Sequence, residues 1–218
     1  AGTLPEWQAK QLLAAAGLAT PAGALATTLQ DAQATAHRIG YPVVMKAQAS
    51  ALAHKTEAGG VLLNIADGAQ LARACQQLHD NIARHAPGLA LDGVLVETMA
   101  AKGLELVVGA VRDEQWGPVL MLGLGGIWVE VLGDVQLLSP DLPHAAIVQR
   151  LLGLKAAKLL QGFRGAPAVD LDAVARTVAT IGALMLQRPE IVEIDVNPLL
   201  AYGAEHGALA LDALVVVR

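Results

Sequence analysis

The chain has one cysteine, one phenylalanine and only 3% aromatic residues in 218 positions. A lone thiol, Cys75, excludes an internal disulfide, and its place in a helical pattern reads as structural rather than catalytic. So few aromatics leave no stacking platform for bases. The 15 Lys and Arg residues, set against 20 Asp and Glu, nowhere cluster as a phosphate backbone requires, so no nucleic-acid partner is expected. Although 54% of residues are hydrophobic, no run of about 18 uninterrupted apolar residues occurs. The richest stretch, 118–132, is broken by Gly123, Gly125, Gly126 and Glu130, so no membrane span is expected. No charged-then-apolar leader opens the chain, and a cytoplasmic address is the expectation.

What is present is a regular alternation of helical and extended patterns. LPEWQAKQLLAAAG reads as a helix bounded by Pro5 and Gly17. Thr28 with Asp31 resembles a capping box for a second helix that ends at Gly40, before Tyr41-Pro42. The strand VVMKA, a small-residue loop through Gly60, the strand VLLNI, a helix from Asp67 to about Ala86 and the strand GVLVETM follow, so residues 21–98 could carry one core. Beyond them, LELVVGAVR and PVLMLGL suggest a hairpin, two or three helices fill 143–187, and two strands, IVEIDVN and ALALDALVVV, close the chain.

Two clusters carry chemistry. Lys46 interrupts an apolar strand, where a charge is costly unless it reaches solvent or meets an anion. It is followed by HKTEAGGV, in which His54 and Lys55 precede Gly59 and Gly60. Paired glycines let backbone N–H groups approach phosphate oxygens; an ordinary tight turn is the plain alternative. The loop matches neither the Walker nor the dinucleotide-binding pattern. Beside two lysines, the His54 imidazole is biased toward its neutral, nucleophilic form. The other histidines have no such neighbours and are read as surface residues.

The second cluster is the strand IVEIDVN, where Glu193, Asp195 and Asn197 share one face because strand side chains alternate. With a hairpin tip at Ala204-Glu205, residues equidistant from the tip face each other, so Asn197 stands opposite Asp212. Asp212 interrupts an apolar run, where an unpartnered carboxylate is costly and a divalent cation resolves the cost. Oxygen ligands alone suit Mg²⁺. Glu193 has no acid opposite it in this register and stays outside the ligand set.

Together, LPEWQAKQLLAAAGLATP, YPVVMKAQASALAHKTEAGGV, GAVRDEQWGPVLMLGLGGIWVEVLGD, GFRGAP and VEIDVNPLL resemble the nucleotide-binding β subunit, or equivalent domain, of ADP-forming acyl-CoA synthetases, distant relatives of succinyl-CoA synthetase. The resemblance implies an α+β, ATP-grasp fold: two α/β lobes with the nucleotide in the cleft between them. Residues 1–20 would form a helix packing on the second lobe, 21–98 the first lobe and 99–218 the second. It implies Lys46 on the ATP phosphates, Glu97 and the Met99 backbone at adenine, Glu105 at ribose, and Asp195, Asn197 and Asp212 on Mg²⁺. His54 corresponds to a phosphate-accepting histidine. The implied reaction interconverts acid, CoA and ATP with acyl-CoA, ADP and phosphate. It needs a CoA-binding subunit or domain with a second phosphohistidine, through which the small carboxylic acid and CoA enter. One departure is Leu137-Leu138, where the family has an arginine.

Two other readings stand beside this one. A nucleotide-sensing ATP-grasp module could regulate a fused or partner enzyme such as an acetyltransferase, although the intact site residues count against it. A carboxylate–amine ligase of the same fold would form an acyl phosphate without a histidine intermediate.

Overall fold

The computed structural model describes residues 2–49, 58–126 and 133–218. In chain order these form β1 (Gly2–Leu4), α1 (Glu6–Ala15), β2 (Gly23–Ala26), α2 (Leu29–Ile39), β3 (Val43–Gln48), β4 (Val61–Ile65), α3 (Gly68–His85) and β5 (Gly93–Thr98). There follow β6 (Leu104–Asp113), β7 (Gly117–Leu124), β8 (Val135–Leu138), α4 (His144–Leu152), α5 (Ala157–Leu160), α6 (Leu171–Gln187), β9 (Ile191–Ala201), β10 (Ala208–Ala210) and β11 (Ala213–Val217). The chain divides into two compact units, residues 21–101 and residues 1–20 with 102–218.

The smaller unit is an antiparallel sheet in the order β2-β5-β3-β4, with α2 and α3 packed on one face. Local chemistry sets both helix starts. The Thr28 hydroxyl accepts from the Asp31 N–H at 3.1 Å and donates to the Asp31 carboxylate at 2.8 Å. Asp67 accepts from the Gln70 N–H at 2.7 Å, while the Gln70 side chain accepts from the Ala66 N–H at 3.0 Å. α2 stops at Gly40, whose φ of 85° suits a residue without a Cβ. Period-two alternation sends Val43, Met45 and Ala47 of β3 into the core beneath the helices. Val44, Lys46 and Gln48 therefore take the opposite face, and all three are also buried.

The larger unit is built on a sheet of order β1-β11-β9-β6-β7-β8, with β10 pairing β9 beyond the end of β11. Its core joins these strands to α1, α4, α5 and α6 on one face. Arg112 on β6 ties the sheet to the end of α6, donating to the carbonyls of Ile191 at 3.0 Å and Arg188 at 3.2 Å, and also to that of Met185. Asp134 closes another joint by accepting from the N–H groups of Lys155 at 3.0 Å and Ala156 at 2.9 Å.

Three short strands are absent from the sequence reading. β2 is GALA, without the β-branched or aromatic residues that mark a strand. β1 forms by pairing with β11, and β8 by pairing with β7; each is an edge strand recruited by a partner distant in sequence. Among the described residues no helix is long and apolar enough to cross a membrane.

Candidate functional site

The smaller unit holds the first set of candidate residues on its two inner strands. Lys46 of β3 lies across from Leu95 of β5, and Glu97 of β5 lies across from Val44 of β3, so Lys46 and Glu97 are diagonal neighbours on one face. Their side chains meet at 3.2 Å between Lys46 Nζ and Glu97 Oε2, and they retain only 8% and 2% exposure. The anion that a lysine in this apolar strand needs is thus supplied within the sheet. Gln48, buried on the same face, sends its amide Nε2 to the Ala47 carbonyl at 3.1 Å.

The paired glycines serve the sheet as well as any ligand. The Gly60 carbonyl accepts from the Ala47 N–H at 2.7 Å. Gly59 has φ 64°, and Asn81 of α3 donates to its carbonyl at 2.8 Å. Arg84 in turn donates to the Asn81 side-chain oxygen at 2.6 Å. A Cβ added to Gly59 would stand 2.7 Å from Asn81 Nδ2, so glycine is required both by the backbone angle and by this clamp. Met99 directs its N–H to the Pro42 carbonyl at 3.4 Å. His54 lies outside the described residues.

In the larger unit, Ile191, Ile194, Val196 and Leu199 of β9 enter the core, which turns Glu193 and Asp195 to the sheet face away from the helices. The hairpin register pairs Ala208 with Ala201, Ala210 with Leu199, Ala213 with Val196 and Leu214 with Asp195. Every pair is equidistant from Ala204-Glu205, so the register that sets Asn197 opposite Asp212 holds on both sides of the gap between β10 and β11. Across that gap the Leu211 N–H donates to the Pro198 carbonyl at 3.0 Å. Asp212 accepts from the following N–H, that of Ala213, at 2.8 Å.

Asp195 lies opposite Gly109 of β6, and a Cβ there would stand 3.9 Å from its Oδ1. Burial pushes the Asp195 carboxyl above the ordinary carboxylate range, and the charges of Glu193 and Asp212 push it further. The influence of Asp212 agrees with the register. That of Glu193 is one the sequence reading left out: the cross-strand partner of Glu193 is Val216, but two residues along one strand face is close enough for repulsion. Among the described residues no three His, Cys, Asp or Glu side chains converge as a ready-made metal cage.

Glu105 shares this face, since Leu106 beside it is in the core. Its carbonyl accepts from the Gly125 N–H at 2.7 Å, and its carboxylate packs against Gly126, where φ is 60° and a Cβ would stand 2.6 Å from Glu105 Oε2. Gly126 therefore admits the Glu105 side chain, a link that spacing alone does not reveal. Leu137, in the stretch where the resemblance places an arginine, is 68% exposed, whereas Leu138 belongs to the core. Cys75 is half-buried, and burial raises its thiol and keeps it neutral. His37, His79, His85, His144 and His206 are all exposed.

With this geometry established, the chain matches the ATP-grasp domain family over residues 1–217, and it belongs to that family. It is 46% identical over 217 residues to a trans-feruloyl-CoA synthase from an unknown prokaryotic organism, covering 100% of this chain and 31% of that protein. It is 37% identical over 214 residues to the β subunit of the ADP-forming acetate–CoA ligase I of Pyrococcus furiosus, covering 98% of this chain and 91% of that subunit. The dinucleotide forming acetyl-coenzyme A synthetase 1 of Ca. Korarchaeum cryptofilum, in complex with coenzyme A, Ca-AMPCP and HgCl+, superposes with a TM-score of 0.95 at 33% identity, covering 100% of this chain and 94% of that one. The same protein has also been solved with coenzyme A and Mg-AMPPCP, its phosphohistidine segment pointing towards the nucleotide-binding site. The fold is ATP-grasp, of mixed helices and antiparallel sheets. The chain spans about a third of the feruloyl-CoA synthase and nearly all of the archaeal β subunit.

Proposed function

We propose that this chain is the nucleotide-handling part of an ADP-forming acid–CoA ligase, in which ATP or ADP binds with Mg²⁺ and a phosphoryl group passes between the nucleotide and His54. The observation that carries the reading is the oxygen-lined face of β9 and the β10–β11 junction. Its donors in this reading are Asp195, Asn197 and Asp212; burial first, and then the charges of Glu193 and Asp212, raise the Asp195 carboxyl, and a divalent cation would offset both costs. When bound, Mg²⁺ supplies charge neutralisation at the phosphate oxygens. The chain's own groups do the rest.

Lys46 meets the polyphosphate, Glu105 the ribose and the Met99 main chain the adenine, while Gly59 and Gly60 set the backbone around the phosphate-handling loop. In the forward direction a ring nitrogen of His54 bonds the γ-phosphorus as the bond from that phosphorus to the ADP oxygen breaks, and ADP departs with the electron pair. Phosphoryl transfer depends mainly on positioning and charge, which these groups provide.

The matched β subunit supports a second component, either a partner chain or a fused domain. In our reading that component binds CoA, carries a second phosphohistidine and admits the carboxylic acid. A cytoplasmic address fits this soluble chemistry. No observation favours the regulatory alternative, in which the module senses nucleotide for an acetyltransferase.

The test is transfer of label from γ-labelled ATP to the chain, with Mg²⁺ and the CoA-binding component present. Acid-labile label on His54 that disappears in His54→Asn is the expected result. Retention of full acid-dependent ATP turnover in His54→Asn would instead favour a carboxylate–amine ligase, and nucleotide binding without label or turnover would favour a sensor.

A further inference from the structure

The buried ion pair of the smaller unit revises the part given to Glu97. Family resemblance makes this residue an adenine ligand, yet its carboxylate is turned to Lys46, 3.2 Å away, on the two inner strands of the sheet, with 2% of the side chain exposed. A lysine on an apolar strand tends to lose its proton or leave its place when it has no counter-charge. The diagonal register of β3 and β5 brings the counter-charge to it. A second feature prepares this arrangement. Gly23 of β2 lies directly opposite Glu97, and a Cβ there would stand 2.8 Å from Glu97 Cγ and collide with the Val96 carbonyl. Absence of a side chain at position 23 leaves room for the foot of the glutamate.

We propose that Glu97 is a positioning residue: it holds Lys46 charged and aimed along the sheet face, and so acts on the nucleotide through the phosphates rather than by touching the base. This rests on the nucleotide-binding reading above and adds to it a division of labour. Lys46 meets polyphosphate with its charge already fixed, and the base is held by main-chain groups. Preorganisation of this kind is visible as coupling: once the lysine is gone, the glutamate has nothing left to position.

The experiment is a double-mutant cycle on ligand binding, using the whole chain and no catalytic turnover. Mg-ADP affinity is measured by calorimetry for the wild type, Glu97→Gln, Lys46→Met and the double variant, and adenosine binding is followed by ligand-observed NMR. Expected is a loss of about tenfold or more in ADP affinity for Glu97→Gln, with adenosine binding unchanged and no further loss when Glu97→Gln is added to Lys46→Met. Adenosine binding that weakens with Glu97→Gln, losses that multiply in the double variant, or ADP affinity that is unchanged or improved in Glu97→Gln would each overturn the proposal. Should either single variant fail to fold, because each leaves the partner's charge buried without its counter-charge, the double variant, which removes both charges, decides against the wild type: unchanged adenosine binding supports positioning, and weakened adenosine binding refutes it. A wild-type chain that binds no Mg-ADP sinks the nucleotide reading itself, a result distinct from all of these.

Discussion

Asp195 is the residue at which the candidate site is most sharply tested. Its folded-state carboxyl sits above the ordinary value because burial, and then the charges of Glu193 and Asp212, disfavour ionisation. The folded chain therefore holds this proton more tightly than the unfolded chain. Without a divalent cation, the contribution of Asp195 to stability is best below the ordinary carboxylate pKa, declines as pH rises from there through the raised folded value, and stays unfavourable at neutral pH. Asp195→Asn should consequently raise the melting temperature at pH 7 in EDTA and flatten part of the decline between pH 4 and neutrality. Adding MgCl₂ with ADP should reverse the order, stabilising the wild type and leaving the variant nearly unmoved. Calorimetric scans with and without the metal read both effects, and a variant still stabilised as much as the wild type would remove Asp195 from the ligand set. Sequence patterning places Asp195 on its face, since period two determines it there, whereas at Asn197 the pairing of β9 with β6 shifts register. Glu193 has the same periodicity, but its repulsion of Asp195 depends on how far the folded sheet shields these groups from water.

At the scale of elements, the long helix α6 and the central strands hold the oxygen face in place. Arg112 crosses from β6 to the carbonyls of Met185 and Arg188 at the end of α6, where a cation also suits the helix dipole. Arg112→Met should cost about 2–3 kcal/mol in urea unfolding, since a charged donor is removed and partly buried carbonyls lose their partner. A cost near zero would mean that water replaces the guanidinium readily. Helix limits are legible in sequence wherever chemistry is local, as at Thr28 with Asp31 and Asp67 with Gln70. β1, β2 and β8 are not legible in this way. Each has three or four residues and becomes a strand only because a distant edge offers hydrogen bonds. Arg112 belongs to the same class, because its three acceptors lie more than 70 residues away.

At the scale of the molecule, the described residues form two separate apolar cores, one beneath each sheet. A lesion in one core should therefore be felt mainly in its own unit. Leu78 of α3 is fully buried in the smaller core, and Leu78→Ala should destabilise that core by about 2–5 kcal/mol. Hydrogen exchange should show amides of β3 and α3 losing protection while those of α6 and β9 keep theirs. Equal loss in both units would show that they unfold as one.

By itself the sequence determined the limits of α2 and α3, the alternation of the long strands and, through its hairpin symmetry, the register on either side of Asn197 and Asp212. All of these are set by neighbours or by a single turn. The tertiary structure decided that Lys46 faces Glu97, that Gly23 and Gly126 make room for particular glutamates, and that Glu193 bears on Asp195. These depend on which strands become neighbours and how deeply their side chains are buried, and such pairings are made by the packed core rather than by adjacency along the chain.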